Sequence, residues 1–327
     1  MPTVALLGDT MLGRGVAERL ASVPAPALVA PDVVAVAAEA DLRVANLECC
    51  ISERGEPWPA PGKPFFFRAP PAAVEVLTGL AVDCVTLANN HALDFGEDGL
   101  LDTCEHLDRA GIAHVGAGPD AARARAPAVL ESRGSRVTVV GATDHPDDFA
   151  ATADRPGVAF ADLRHGLPGW LDATVRDAGT EIVLVTPHWG PNMVPAPVAH
   201  VRRAAGALVE AGATLVAGHS AHVFHGVARP VLYDLGDFLD DYAVDPVLRN
   251  DLGLLFLVTL DGFGPTRLEA VPLRLEYCHT RLARGDDATW VRHRFRRACA
   301  DLGTEVREEG DRLVIEWPSA PGGDRGP

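Results

Sequence analysis

Short apolar runs alternate with amphipathic stretches along most of the chain, and this alternation limits the folds open to it. The runs are rich in valine and leucine: TVALL (3–7), LRVA (42–45), VDCVTLA (82–88), RVTVVGA (136–142), EIVLVT (181–186), ATLVA (213–217), PVLYDL (230–235) and LGLLFLVTL (252–260). Between several of them apolar residues recur with helical spacing, as in 97–110 and 198–211. Continuous apolar strands separated by helices predict an α/β layered fold with its sheets covered on both faces.

The pattern changes after residue 260. Strand-like residues at 267–277 and a helix at 288–302 follow, and the chain closes with SAPGGDRGP, which is typical of a disordered tail. Since no linker divides the chain, we predict one domain over 1–260, an extension over 261–318 packed on that domain, and a tail over 319–327. The proline-rich segment 54–71 predicts a long loop at the rim of a pocket.

Charge and cysteine usage restrict the partners and the compartment. With 29 basic against 45 acidic side chains the formal charge is −16, so we do not expect nucleic acid as a partner. The six cysteines show no CxxC spacing, which predicts reduced thiols in a cytoplasmic protein. We expect no signal peptide, because MPTVALLGDT lacks a basic n-region and an apolar region of adequate length. We expect no membrane anchor, because prolines and acidic residues interrupt the longest apolar stretch, 25–40.

Polar side chains follow five of the eight apolar runs where each run ends. Residues of metal-binding or proton-transferring types at or near these ends are Asp9, Glu48, Asn90, His91, His188, His219 and His222. Ligands of open α/β sheets bind beyond the carboxyl ends of the strands, so these side chains can converge although they are distant in sequence. Carboxylate, amide and imidazole ligands suit Mn, Fe, Zn or Mg.

Each of these residues also has a purely structural interpretation. A Gly-Asp pair after a strand is typical of a turn or a helix N-cap, and the segment 89–91 (NNH) is typical of a loop. His188, beside Trp189, can be a buried core histidine. The coincidence of ligand types at several strand ends favours a metal site over independent turns.

Four further residues are candidate substrate contacts, and one of them is Asn46, two residues before Glu48. His145 follows the RVTVVGA run, and Arg14 either faces an anionic substrate or begins a helix surface. His225 is the third histidine of VAGHSAHVFHG, and we expect it in the pocket wall. The other histidines are interpreted as structural or surface residues: His106, His114, His165, His200, His279 and His293.

Taken together, six ordered motifs resemble the CapA family, which is linked to poly-γ-glutamate capsule synthesis and belongs to the calcineurin-like metallophosphoesterase superfamily. The motifs are GDTMLGRG (8–15), ANLECCIS (45–52), TLANNHALDFGEDGL (86–100), VTPHWG (185–190), AGHSAHV (217–223) and LYDLGDF (232–238). The resemblance implies a four-layer α/β/β/α sandwich of the metallophosphoesterase type. It also implies one or two divalent metal ions at the strand ends.

The resemblance assigns a role to each matching residue. It implies that Asp9 is the first metal ligand and that Glu48 is the bridging carboxylate, with Asn46 nearby. It implies that Asn90 is an amide ligand and that His91 assists the leaving group. It further implies that His188 and His219 are ligands of the second metal and that His222 is a further ligand of the first.

Several positions depart from the superfamily pattern. Met11 replaces a usual histidine ligand, Glu48 replaces an aspartate, and LGDF with Asp237 stands where LGNF is usual. We therefore expect one tightly bound metal on the side of Asn90 and a weaker second metal.

The function implied is that of a metal-dependent hydrolase. It would use metal-activated water on a phosphoester or an amide-like acyl bond, with Glu48 and His91 as catalytic residues. The substrate would be a small molecule or a γ-glutamyl or other anionic compound. An alternative is a non-hydrolytic accessory protein that binds such a polyanion for a partner synthetase. Another is a metal-dependent tailoring enzyme of specialised metabolism.

Overall fold

The computed structural model describes residues 1–59 and 61–318. The strands are β1 (Thr3–Thr10), β2 (Leu42–Leu47), β3 (Cys50–Ile51), β4 (Arg68–Ala69), β5 (Cys84–Thr86), β6 (Ala113–Val115), β7 (Ala117–Gly118), β8 (Ala128–Ser132), β9 (Ser135–Thr143), β10 (Gly157–Val158), β11 (Ile182–His188), β12 (Leu215–Ala217), β13 (Val227–Ala228), β14 (Val231–Leu232), β15 (Asp237–Leu239), β16 (Leu252–Asp261), β17 (Gly264–Glu276), β18 (His279–Leu282), β19 (Arg307–Glu309) and β20 (Arg312–Glu316). The helices are α1 (Arg14–Leu20), α2 (Pro31–Ala37), α3 (Val74–Gly79), α4 (Gly96–Arg109), α5 (Ala121–Ala124), α6 (Gly169–Arg176), α7 (Ala199–Ala211) and α8 (Gly285–Ala300). The predicted tail over 319–327 lies outside the described residues.

Two sheets form the body of the fold. The larger runs in the order β19-β20-β17-β16-β1-β2-β5-β6, with β15 also paired to β1 and β18 to β17. The smaller runs in the order β13-β14-β12-β11-β9-β8. Strands β1, β2, β5 and β6 are parallel neighbours, as are β9, β11, β12 and β14, so each sheet presents a row of carboxyl ends at one edge.

Side chains along the central strands alternate between two cores. In β1, Val4 joins the core between the sheets, whereas Ala5 packs into the core that holds α1 to α4. In β11, Leu184 joins the same inter-sheet core, whereas Val185 packs with α6 and α7. A two-residue period with apolar residues on both faces is that of a fully covered strand. The predicted four-layer α/β/β/α sandwich is confirmed.

The longer elements match the sequence pattern more closely than the short ones. The helices expected at 97–110 and 198–211 are α4 and α7 within one residue at each end. The run PVLYDL was expected to be a strand, but only its β14 portion is one. Beyond β14 the Asp234 side chain accepts hydrogen bonds from the backbone N–H groups of Ala221 (2.8 Å) and Gly236 (2.9 Å).

Residues beyond 260 continue the larger sheet. Strand β17 pairs with β16 along its length, and β20 pairs with β17. On α8, Phe295 packs against Phe224 and Phe256 at the inter-sheet core. The predicted division at residue 260 stays a prediction. None of the helices in residues 1–59 and 61–318 has both the length and the apolar character needed to cross a bilayer.

Candidate metal centre

Strand ends from both sheets meet at one buried place. Asp9 lies at the end of β1, and Glu48 follows β2, its parallel neighbour. The smaller sheet contributes His188 at the end of β11 and His219 after β12, and these two residues form a bridge. His219 Nδ1 lies 2.9 Å from Asp9 Oδ1, so a direct side-chain contact joins the two sheets here. All four side chains are buried.

Asp9 is the most firmly held of these residues. Its Oδ1 accepts a hydrogen bond from Asn46 Nδ2 (2.8 Å), and Asn46 Oδ1 accepts one from Asn89 Nδ2 (2.9 Å). Burial opposes ionisation of Asp9, but the hydrogen bond to His219 and the nearby imidazoles hold its pKa below the usual value. Asp9 is therefore a carboxylate with a fixed orientation.

Several buried polar atoms of the predicted ligand residues and of Asp237 lack a hydrogen-bond partner among the described residues. They are both carboxylate oxygens of Glu48, Asn90 Oδ1, His188 Nε2 and Asp237 Oδ2. Folded proteins pair nearly all buried polar groups, so a concentration of unpaired acceptors indicates a missing ligand. Carboxylate and amide oxygens with imidazole nitrogen form a donor set for Mn, Fe, Zn or Mg. These side chains therefore fit a divalent cation.

The spacing and the electrostatics agree with a cation. Ligand atoms of Asp9, Glu48 and His188 lie within 4.8 Å of one another, as do those of Asp9, His222 and Asp237. Burial, reinforced by the charge of Asp9, raises the pKa of Glu48 well above its usual value. Burial also lowers the pKa of His188 well below the usual value, which keeps the imidazole in the neutral form that binds metals. A nearby cation offsets the cost of an ionised, buried Glu48.

His91 is held by contacts that lead to Lys63, the single lysine of the chain. His91 Nδ1 lies 2.6 Å from Asp94 Oδ2, and Lys63 Nζ lies 3.0 Å from Asp94 Oδ1. The Phe67 ring stacks on the imidazole with 3.9 Å between ring centroids, and the Phe67 backbone N–H donates to Asp94 Oδ2 (2.6 Å). His91 Nε2 faces Glu48 Oε1 at 4.0 Å. Burial lowers the pKa of His91, and Asp94 opposes this shift.

Two of the predicted substrate contacts lie at the margin of the centre. The Arg14 guanidinium forms an ion pair with Asp241 and lies 4.9 Å from the Phe67 ring centroid. The His145 ring lies 5.2 Å from that of His188, and its Nδ1 is hydrogen-bonded to the neighbouring aspartate. The side chains of Arg14 and His145 are 30% and 32% exposed, so a ligand can reach both.

The other two predicted substrate contacts are engaged with the protein itself. Asn46 is fully buried behind Asp9, and its amide is used by Asp9 and Asn89, so it orients Asp9. His225 Nε2 donates to the Val194 carbonyl (2.8 Å), and burial lowers the pKa of His225 to about 4. These contacts direct the Asn46 amide and His225 Nε2 to other groups of the protein.

Three residues of the centre were not predicted as functional. Lys63 comes from the proline-rich loop, where the only signal was that no other lysine occurs in the chain. Asp94 lies three residues after His91 in the motif TLANNHALDFGEDGL (86–100). Asp237 was noted only as a departure from the family pattern, yet its Oδ1 is 2.8 Å from His222 Nδ1.

A family model and two similar proteins all carry names from capsule, polyglutamine or PGA synthesis. A family model described as bacterial capsule synthesis protein PGA_cap matches residues 3–242. A probable polyglutamine synthesis accessory protein of Mycobacterium tuberculosis is 34% identical over 306 residues, covering 86% of this chain and 78% of that protein. The PGA biosynthesis protein CapA of Bacillus subtilis is 27% identical over 277 residues, covering 83% and 71%. Among solved structures, the calcineurin-like phosphoesterase YfkN of Bacillus subtilis is 12% identical with a TM-score of 0.44, covering 86% of this chain and 88% of that chain.

Proposed function

The chain belongs to the bacterial capsule synthesis protein PGA_cap family, as its resemblance to CapA predicted, and from this premise we propose that it is a metal-dependent hydrolase. The bond cleaved is a phosphoester or an amide-like acyl bond in an anionic substrate. The observation that carries this proposal is the set of buried, unpaired ligand atoms on Glu48, Asn90 and His188, of which Glu48 and His188 have ligand atoms within 4.8 Å of Asp9.

A primary cation position is formed by residues of both sheets. Asp9, Glu48, Asn90, His188 and His219 would hold the cation, and Asn46 would keep Asp9 oriented. When bound there, a divalent cation supplies Lewis acidity and makes water a usable nucleophile near neutral pH.

His91 is the proton donor in this proposal. Its Nδ1 is fixed by Asp94, so Nε2 is the atom that faces Glu48 and the reacting groups. Lys63 holds Asp94 by an ion pair, and Phe67 limits rotation of the imidazole by stacking. In the imidazolium form, which Asp94 favours against the effect of burial, His91 would give its Nε2 proton to a leaving oxygen or nitrogen and keep the Nδ1 proton, and this serves phosphoester and amide substrates alike.

The experiment is turnover of aryl phosphate mono- and diesters and of a γ-glutamyl anilide with Mn²⁺ added. His91→Ala should lower kcat by roughly 10²–10⁴-fold for a phenyl leaving group. The loss should be smaller for a nitrophenyl leaving group, which departs without a proton. His219→Ala should abolish metal-dependent turnover, because it removes a ligand.

His165→Ala is the matched control, since that side chain is 84% exposed and pairs only with Asp162 among the described residues. It should behave as the wild type. Absence of bound metal in the purified protein, or a His219→Ala variant as active as the wild type, would contradict the proposal.

A second candidate function is supported by the relatives. One of them is named a probable polyglutamine synthesis accessory protein, and another a PGA biosynthesis protein. In this role the chain would bind a γ-glutamyl polyanion for a partner synthetase without cleaving it. Binding of a short poly-γ-glutamate that persists after metal removal, with no turnover on the ester and amide panel, would favour the accessory role.

A further inference from the structure

The three-residue sequence Leu-Gly-Asp occurs twice, at positions far apart in the chain, and the two copies are paired in space. It spans 7–9 at the end of β1 and 235–237 at the start of β15. The two strands are parallel, with Asp9 in register with Asp237, and the Asp9 N–H donates to the Gly236 carbonyl (2.9 Å). A Cβ atom on Gly8 would lie 1.9 Å from that carbonyl oxygen, so glycine is required there. The pairing sets two carboxylates side by side.

The Asp237 carboxylate points into the centre with one oxygen unused. Its Oδ1 is 2.8 Å from His222 Nδ1, and its Oδ2 is buried with no hydrogen-bond partner among the described residues. His222 Nδ1 also lies 3.5 Å from Asp9 Oδ2. One imidazole nitrogen and carboxylate oxygens from two strands therefore converge within 4.8 Å.

The turn that delivers His222 adopts an uncommon backbone conformation. Ser220 has φ of 110° and His222 has φ of 58°, both in the left-handed region that non-glycine residues rarely occupy. Strained residues of this kind persist where the surrounding structure enforces them and cluster at functional sites. Here the turn places the imidazole against the two carboxylates.

Met11 stands where the superfamily usually has a histidine ligand, so the metal position beside Asp9 and His222 lacks one of its usual ligands. Its side chain is fully buried, and its sulfur accepts from the Gly13 N–H (3.0 Å). A thioether is a soft ligand, poorly suited to the cations that carboxylates bind. We propose that Asp237 is a metal ligand that completes a second cation position with Asp9 and His222, in place of the ligand absent at Met11. Asp9 is then shared between both positions.

This inference rests on the proposed function only for the primary position. The competing explanation is that Asp237 merely orients His222 by a hydrogen bond. Asp237→Asn separates the two, because an asparagine oxygen can still accept from His222 Nδ1 but is a much weaker metal ligand than a carboxylate. Asp240→Asn is the matched control, since Asp240 is a buried carboxylate of the same segment with an unpaired oxygen but lies outside the cluster.

The test is metal counting on the full chain, stripped with a chelator and titrated with Mn²⁺, by elemental analysis and electron paramagnetic resonance. We expect about two Mn²⁺ per chain with an exchange-coupled signal for the wild type and Asp240→Asn, and about one uncoupled Mn²⁺ for Asp237→Asn. Wild-type stoichiometry and affinity in Asp237→Asn, or a single Mn²⁺ in the wild type, would overturn the proposal.

Asp237→Ala provides a second variant, and circular dichroism of each metal-free protein checks folding. Because metal counting needs no substrate, its outcome is independent of turnover. A protein that binds two cations but hydrolyses nothing would contradict the proposed hydrolase and leave this inference standing.

Discussion

Replacement of Lys63 by methionine should destabilise the protein far more than loss of an ordinary surface cation. The Lys63 side chain is 14% exposed, and its Nζ lies 3.0 Å from the fully buried Asp94 and donates to the Asn90 carbonyl (3.0 Å). Methionine keeps the apolar stem but leaves the Asp94 charge without its cation. Breaking one side of a buried ion pair costs about 3–5 kcal/mol. At roughly 2 °C per kcal/mol for a long chain, the melting temperature should fall by about 6–10 °C.

The assay is thermal and urea unfolding of metal-free protein at pH 7, with Arg176→Met as the control. Arg176 forms an ion pair with Asp172 one helical turn away on α6, where both groups are exposed, so its loss should be undetectable. The double variant Lys63→Met/Asp94→Asn should recover much of the stability, because it removes the stranded charge. Equal stability of Lys63→Met and Arg176→Met would refute the reasoning.

Three further predictions test the packing and the titration of buried groups. Gly8→Ala should unfold or loosen β1, because the added Cβ would collide with the Gly236 carbonyl. In contrast, the Cβ of Gly206→Ala would meet open space on α7, so this variant should be more stable by up to about 1 kcal/mol. Melting curves of the two variants test the difference. Burial lowers the pKa of His225 from 6.5 to about 4, so its contribution to stability is complete above pH 6.5 and is lost as the pH falls toward 4. Between pH 7 and pH 4 the free energy of unfolding should therefore fall by about 3 kcal/mol less in His225→Gln than in the wild type. Parallel profiles of stability against pH for the two proteins would contradict this. Burial raises the pKa of Cys84 to about 12, so a thiol reagent at pH 8 should label it only upon unfolding, and labelling within the mixing time would contradict its burial.

The sequence predicted the parts of the site that depend on local rules. Parallel strands of one sheet end at a common edge, which brings Asp9 near Glu48 in the larger sheet and His188 near His219 in the smaller one. The packing of the two sheets then brings the two pairs together, as the contacts of Glu48 with His188 and of Asp9 with His219 show. The long helices were also predictable, because α4 and α7 carry several turns of apolar periodicity. The run PVLYDL is a strand only over β14, and beyond it the buried Asp234 side chain accepts hydrogen bonds from Ala221 and Gly236, a long-range contact that the apolar pattern does not predict.

The residues that sequence reasoning missed reach the centre through long-range pairing or irregular loops. Asp237 meets Asp9 only because β15 pairs with β1, and the sequence between the two Leu-Gly-Asp segments contains no signal for that register. Lys63 comes from a proline-rich loop with no periodicity from which its direction could be deduced. Asn46 was expected to contact substrate, whereas the register of β1 and β2 directs its amide to Asp9.

The two halves of the centre differ in how their negative charge is balanced, and this difference explains where a cation belongs. Asp94, which orients His91 through Nδ1, already has Lys63 at 3.0 Å, so its charge is balanced within the protein. Glu48 has two imidazoles at 4.0 Å as its nearest potential cations, and burial holds their pKa values below the usual range. A buried carboxylate is costly unless a cation or a proton compensates it. A divalent ion at the proposed primary position would compensate Glu48, whereas Asp94 needs no such ion because Lys63 already lies beside it.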